Sequence, residues 1–216
     1  MIKSLNEYID HTMLKPDARE SDIRKLCAEA KKYHFYAVCV NSSYVSLANK
    51  ELMGSGIKIA SVVGFPLGAV HTDVKTKEAE VALKEGTDEI DMVIHIGALK
   101  DGRYEYVFND IKAVTELAKK HNAIVKVILE TCLLSDEEVV RACEISKEAE
   151  ADFVKTSTGF STSGATLHHV MLMKSIVKND LKVKASGGIR DRKKAIEMIE
   201  AGASRIGASA SIDICR

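Results

Sequence analysis

At 216 residues the chain has room for one domain with a sizeable core and is short for two. Its 31 basic and 31 acidic residues cancel, so the basic excess of a nucleic-acid binder is missing, and 46% hydrophobic residues is an ordinary soluble composition. Five cysteines (Cys27, Cys39, Cys132, Cys143, Cys215) are odd in number and form no CxxC, as expected of reduced thiols in a cytoplasmic protein.

The first fifteen residues carry charges throughout, which argues against a signal peptide. Residues 8–12 read as a first strand ending at the turn Lys15-Pro16-Asp17, and Ser21 is a candidate cap for a helix to residue 33. A strand over 35–40, a helix over 42–53 closed by Gly54, and a strand over 58–63 follow. The near-apolar run 59–70 contains Pro66 and falls short of the roughly 20 residues that span a bilayer. Then come a helix over 72–85, a strand over 89–95, a long amphipathic helix over 101–120 and a strand over 124–130. Ser135 with Glu138 forms a capping box for a helix to residue 148. A strand over 152–155, a helix over 165–177, a strand over 182–185, a helix over 190–201 and a strand over 204–207 complete the chain.

Eight short apolar strands alternating with helices predict parallel pairing in one closed (β/α)8 barrel spanning residues 1–216. An open doubly wound sheet is the alternative, but its GxGxxG or GxxxxGK[ST] turn is missing.

Three strands carry a lysine at one phase, 29 residues apart: Lys126, Lys155 and Lys184. Lysine is depleted from strands and is almost never fully buried without a partner. Barrel sites lie at the carboxyl ends of strands, where Asp10, Cys39, Asp91, His95 and Glu130 are also expected. Each has an ordinary explanation. A strand lysine can snorkel past apolar neighbours, Lys126 can pair with Glu130 across a pleat, and Asp91 can be a hydrogen-bonded buried carboxylate. Together they suggest chemistry. A free lysine is only about 0.04% amine at pH 7. A second ammonium about 4 Å away, at an effective dielectric near 20, costs roughly 4 kcal/mol, or about 3 pK units. Paired lysines are thus a way to make an amine that attacks a carbonyl, with a carboxylate to move protons.

Ser186-Gly187-Gly188-Ile189 after the seventh strand and Gly207-Ala208-Ser209 after the eighth fall where barrels cradle phosphate, although both can be ordinary turns. The seven histidines show neither HxH nor HExxH, so no metal site is expected, and most should face solvent or cap helices.

The segments Ile9-Asp10-His11-Thr12, Glu89-Ile90-Asp91-Met92-Val93, Lys126-Val127-Ile128-Leu129-Glu130-Thr131, Lys155-Thr156-Ser157-Thr158-Gly159-Phe160 and Lys184-Ala185-Ser186-Gly187-Gly188-Ile189 resemble the deoxyribose-phosphate aldolase family. So do Val62-Val63-Gly64-Phe65-Pro66-Leu67-Gly68 and Arg205-Ile206-Gly207-Ala208-Ser209, and the likeness runs in order from about Leu5 to Ser209. The resemblance implies a metal-free, cofactor-free lyase of deoxyribose phosphate catabolism. It would reversibly cleave 2-deoxy-D-ribose 5-phosphate to D-glyceraldehyde 3-phosphate and acetaldehyde. It implies Lys155 as the Schiff-base lysine, Lys184 as the neighbour that depresses its pKa, and Asp91 as the proton carrier. Asp10, Lys126 and Cys39 would neighbour the substrate; Thr158, Gly159, Gly187, Gly188, Gly207 and Ser209 would form its phosphate loops.

Ala210 stands where some members have a second serine, and the chain ends Asp213-Ile214-Cys215-Arg216 where some end in a tyrosine that assists proton transfer. Another group or water would then take that role. The partners implied are a phosphosugar and further copies of the chain, as a dimer or tetramer, with no nucleic acid or membrane. An isomerase or another lyase acting on a different phosphosugar, and a non-catalytic phosphosugar-binding barrel, remain as alternatives, and neither needs two close lysines.

Overall fold

Eight parallel strands close on one another in the computed structural model, which describes residues 4–216. They are β1 (Ile9–Met13), β2 (Ala37–Val40), β3 (Lys58–Val63), β4 (Glu89–Val93), β5 (Ile124–Ile128), β6 (Phe153–Lys155), β7 (Lys182–Ser186) and β8 (Arg205–Ala208). Each pairs with the next, and β1 meets β8 with Asp10 opposite Gly207, which closes the expected (β/α)8 barrel.

Among the described residues nine α-helices surround it: α1 (Glu20–Tyr33), α2 (Val45–Leu52), α3 (Thr72–Lys84), α4 (Ile96–Lys100), α5 (Tyr104–Lys120), α6 (Asp136–Glu148), α7 (Leu167–Val177), α8 (Arg192–Glu200) and α9 (Ser211–Cys215). No helix among the described residues is long and apolar enough to cross a membrane.

Alternation along the strands separates two interiors. Ile90, Met92, Val125, Val127, Val183 and Ala185 point outward into a layer with Ile111, Val114, Val139 and Val170 of the helices, all buried. Each large aliphatic in that layer contributes about 1.5–3 kcal/mol by leaving water. The opposite faces turn into the barrel, and there charged side chains are buried beside a small apolar cluster of Leu14, Cys39, Ala60 and Val62.

Differences from the sequence expectations lie at strand ends and helix starts. The expected strand 89–95 stops at Val93, because His95 turns to cap α4: its Nδ1 accepts the Ala98 N–H at 3.1 Å. The expected helix 101–120 begins at Tyr104, and the short α4 before it was not expected; Gly102, whose φ of +70° suits only glycine well, separates the two. The first helix begins at Glu20, with Asp22 accepting the Arg19 N–H at 2.8 Å, so Ser21 is not its cap. Thr166 caps α7 and Asp191 caps α8, which moves both starts inward by two residues. The capping box at Ser135 and Glu138 is present, with bonds of 3.3 and 2.8 Å. His71 and His95 cap helices as expected, whereas His11 is buried, 2.9 Å from both Glu29 and Ser211.

Among the described residues, one ion pair outside the barrel is fully buried, beneath the β3–α3 loop. Lys75 of α3 is fully buried, 2.5 Å from Asp110 of α5 and 2.9 Å from the Val93 carbonyl at the end of β4. It ties two helices to the strand that carries Asp91.

Candidate active site

Asp91, central on β4, accepts from three lysines supplied by three different strands. Its Oδ1 lies 2.7 Å from Lys126 Nζ, and its Oδ2 lies 2.7 Å from both Lys155 Nζ and Lys184 Nζ. Lys184 also lies 2.5 Å from Asp10 Oδ2, an ion contact without hydrogen-bond alignment. Lys126 also contacts Glu89 and stands 3.8 Å from Asp10. Arg205 closes the lower end: its Nε donates to Asp10 at 2.7 Å and its Nη2 to Glu89 at 3.0 Å. All seven groups are buried.

The surroundings divide the lysines. Lys155 is pushed below the usual lysine range by burial, opposed by Asp91 and assisted by the positive charge of Lys184. Burial works the same way on Lys184, but Asp10 and Asp91 overcome it and hold its proton more firmly than usual. Lys126 is likewise raised against burial by Asp91 and Glu89. Burial pushes both carboxylates upward. Lys126, Lys155 and Lys184 nevertheless keep Asp91 well below its ordinary value, and Lys184 with Arg205 brings Asp10 down to about 2. Burial raises the Cys39 thiol, with Asp91 adding to it.

Above this cluster opens a cavity of about 260 Å3. Thr158, Gly159, Gly187, Gly188, Gly207 and Ser209, the candidate phosphate-loop residues, line it, and so does Lys155. Asp10, Asp91, Lys126 and Lys184 do not reach its wall; they lie below it, and Cys39 is buried beside them among Leu14, Ala60, Val62 and Phe65. Lys155 is the one member of the charged cluster that faces both ways. Lys15, Phe160 and Arg190, which were not anticipated as site residues, also line the cavity. The two cations follow the first and seventh strands, a position that could have flagged them. Glu89 and Arg205 were missed because their partners are 116 and 195 residues away in sequence.

Glycines make the walls possible at two places. A Cβ on Gly207 would come within 3.1 Å of Lys184 Cε and 3.0 Å of Ser186 Cβ, so the lysine passes over bare backbone. Gly187 has φ +83°, and a Cβ there would lie 2.9 Å from the Gly164 Cα of the preceding loop. The loops are then tied together, the Ser186 hydroxyl donating to the Ser157 carbonyl at 2.6 Å.

The expected alternative pairing of Lys126 with Glu130 does not form. Glu130 follows β5 in the left-handed region (φ +58°, ψ +60°), which aims its carboxylate at the neighbouring loop. There it accepts the Thr158 N–H at 3.3 Å and the Thr158 hydroxyl. That backbone costs a non-glycine residue on the order of 1 kcal/mol or more, and charge-assisted bonds offset it.

Among the described residues, one group of three potential metal ligands converges: Asp136, His168 and His169, with donor atoms within 4.8 Å of one another. It sits on the outside at the amino ends of α6 and α7, and His168 Nε2 is 2.8 Å from Asp136 Oδ2. The positive ends of two helix dipoles favour the carboxylate there and disfavour a metal cation, so the group is accounted for by the hydrogen bond between His168 and Asp136.

A sequence model of the DeoC/LacD family of aldolases matches residues 5–215. A deoxyribose-phosphate aldolase of Aciduliprofundum boonei is 59% identical over 212 residues, 98% of this chain and 96% of that protein. The crystal structure of a putative deoxyribose-phosphate aldolase from Coccidioides immitis superposes with a TM-score of 0.95 at 44% identity, covering 99% of this chain and 85% of that one. The deoxyribose phosphate aldolase of Aeropyrum pernix, described as a unique tetramer, superposes at 0.92 with 37% identity, covering 98% and 89%.

Proposed function

The chain belongs to the DeoC/LacD family of aldolases, which makes it a lyase of carbon–carbon bonds, and from that premise we propose that it reversibly cleaves 2-deoxy-D-ribose 5-phosphate to D-glyceraldehyde 3-phosphate and acetaldehyde through a Schiff base on Lys155. The observation that carries this reading is that Lys155 alone links the charged cluster to the cavity. Burial favours its neutral amine, the form that attacks a carbonyl.

The open-chain aldehyde carbon C1 is attacked by Lys155 Nζ. The carbinolamine takes a proton on its oxygen and loses water, giving an iminium. Removal of the C3 hydroxyl proton lets the C2–C3 bond break. Its electron pair moves into the C1–C2 bond and the iminium π pair returns to nitrogen, releasing D-glyceraldehyde 3-phosphate and leaving an enamine. Protonation of C2 regenerates an iminium, and water releases acetaldehyde and the free lysine. Asp91, one hydrogen bond from Lys155, is the group placed to carry these protons, with Lys184 as the fixed cation beside it. Asp10 and Lys126 hold Asp91 and Lys184 from below, and Cys39 packs beside them without lining the cavity.

The phosphate fits the opposite side, where Thr158, Gly159, Gly187, Gly188, Gly207 and Ser209 bring backbone and hydroxyls together and Lys15 and Arg190 supply charge. No step in this sequence needs a metal or an organic cofactor, since the iminium is the electron sink. The tetrameric Aeropyrum pernix relative supports a homo-oligomer, and a role in deoxyribose phosphate breakdown in the cytoplasm follows from the substrate.

Acetaldehyde with borohydride tests the mechanism. Reduction of the imine should leave one ethyl group on the protein, and peptide mapping should place it on Lys155. Labelling confined to Lys126 or Lys184, or none in protein that cleaves the sugar, would overturn it.

A further inference from the structure

We propose that Arg205 and Glu89, on the barrel floor and away from the cavity, are a positioning pair that sets the protonation state of Lys155 by fixing the charge balance of the barrel interior. The inference rests on the reading of Lys155 as the reacting amine and goes beyond it to residues that touch no substrate.

Four cations (Lys126, Lys155, Lys184, Arg205) and three carboxylates (Asp10, Glu89, Asp91) share one buried space. Fully ionised, the cluster carries one positive charge in excess, and an uncompensated charge away from water is costly. One cation must give way, and the contacts say which. Lys184 touches Asp10 and Asp91. Lys126 touches Glu89 and Asp91 and stands near Asp10. Arg205 spans Asp10 and Glu89. Lys155 touches Asp91 only, through an oxygen that Lys184 already shares. Without its proton, three cations balance three carboxylates.

Among the described residues, the ion contacts of this space involve no other charged group. Asp91 of β4 touches Lys155 directly and Lys184 of β7 shares that carboxylate, while Asp10 of β1, Glu89 of β4, Lys126 of β5 and Arg205 of β8 complete the same buried cluster. Cys39 on β2 is a buried thiol, and β3 turns in Ala60 and Val62. Glu130, past the end of β5, is committed to Thr158.

Arg205 is the decisive member because a guanidinium keeps its proton under all ordinary conditions. It is also held rigidly, with its centre 3.7 Å from the centroid of the Tyr36 ring. With Arg205 in place, Asp10 and Glu89 are already partly neutralised. Without it, they would draw more fully on Lys184 and Lys126, leaving Asp91 to hold Lys155 as an ammonium.

The count predicts opposite signs for the two residues. Arg205→Met removes a cation, so Lys155 should keep its proton longer, its titration midpoint rising by about one pH unit. Glu89→Gln removes a carboxylate and should lower the midpoint. The Arg205→Met/Glu89→Gln double variant restores the balance and should return the midpoint close to that of the unaltered protein. The direct readout is NMR titration of protein carrying 13C-labelled lysine, with the Lys155 signal assigned as the one lost in Lys155→Met. The second readout is the rate of acetaldehyde–borohydride labelling, which in Arg205→Met should fall roughly tenfold at pH 7 and recover in alkali. Singles that shift in the same direction, a double variant that does not return, or a midpoint common to all four proteins would overturn the proposal. If Arg205→Met does not fold, the comparison of Glu89→Gln with the double variant, in which neither charge is orphaned, still decides the sign. Absence of borohydride labelling in the unaltered protein would refute the Schiff-base reading instead, and the NMR titration would still judge the floor.

Discussion

Lys155 and Lys184 share a single oxygen: each Nζ lies 2.7 Å from Asp91 Oδ2. The sequence suggested two ammonium groups repelling each other directly, but a carboxylate stands between them. What separates their behaviour is the rest of each environment. Lys184 has Asp10 as a second carboxylate and keeps its proton. Lys155 has none, and burial is the leading cause of its lowered pKa, with the charge of Lys184 assisting. Groups in contact whose surroundings push their pKa values apart are suited to divide acid and base work.

Lys184→Met should therefore slow Schiff-base formation through two changes of the same sign. It removes a positive neighbour and leaves Asp91 Oδ2 to Lys155 alone, so both favour the ammonium. Because burial remains, the loss at pH 7 should be roughly ten- to a hundredfold and should narrow as pH rises towards about 10. Lys155→Met should show no recovery. Rates of both variants across that range decide it, and a Lys184 variant whose relative rate stays flat would leave Lys184 only the part of a proton carrier.

Acid should unfold the protein through the barrel interior. The folded pKa of Asp10 is depressed from 3.8 to about 2, and Asp91 is also held well below its ordinary value. The unfolded chain thus binds protons before the folded one does. The stabilisation is fully present above about pH 4 and is lost as pH falls through the folded values. For Asp10 it amounts to about 2 kcal/mol. Urea unfolding midpoints should be flat from about pH 7 to 5 and fall steeply below about 4, and Asp10→Asn should lessen that fall. An equally steep fall in Asp10→Asn would assign the acid sensitivity elsewhere.

Much of the barrel could be read from its alternation. Strands such as β4 and β5 show both faces in five residues, with Ile90 and Met92 or Val125 and Val127 outward and Asp91 or Lys126 inward. The spacing of Lys126, Lys155 and Lys184 likewise marked a common phase, and all three meet one carboxylate. Pairing across the barrel was not legible. Glu89 and Arg205 look like polar strand starts until closure brings Arg205 onto both Glu89 and Asp10. Helix starts were misplaced where a side chain takes up backbone groups, as Thr166 does at α7, and α4 was missed where His95 does so. The Lys126–Glu130 alternative failed because Glu130 leaves the extended conformation, which alternation cannot foresee.

Glu130→Gln should separate phosphate binding from amine chemistry. The carboxylate accepts both the N–H and the hydroxyl of Thr158, and Thr158 Oγ1 in turn accepts the Phe160 N–H at 3.1 Å. An amide has one acceptor oxygen and turns a donor towards the Thr158 N–H. Losing a charge-assisted bond costs about 1.5–3 kcal/mol, enough to raise KM for the phosphosugar roughly tenfold or more by loosening the loop. Borohydride labelling by acetaldehyde, which has no phosphate, should change far less. Equal losses in the two assays would instead make Glu130 part of the amine's own surroundings.

The pair Lys75–Asp110 carries the largest expected stability effect outside the barrel. Both side chains are fully buried, so Asp110→Ala leaves an ammonium without its carboxylate, a change that costs about 3–5 kcal/mol. In a chain of this size that lowers Tm by roughly ten degrees. Asp110→Leu combined with Lys75→Met removes both charges and should restore most of the loss, because the pair's own attraction is largely offset by its desolvation. It should not restore all of it, since Lys75 also donates to the Val93 carbonyl, and an unpaired buried carbonyl costs about 1–3 kcal/mol. Val93 is two residues beyond Asp91 on β4, so the double variant also tests whether that anchor holds the site. Tm of the double variant at or below that of Asp110→Ala would show that the pair contributes net stability. A double variant of recovered Tm but slowed borohydride labelling would show that Lys75 keeps the strand carrying Asp91 in place.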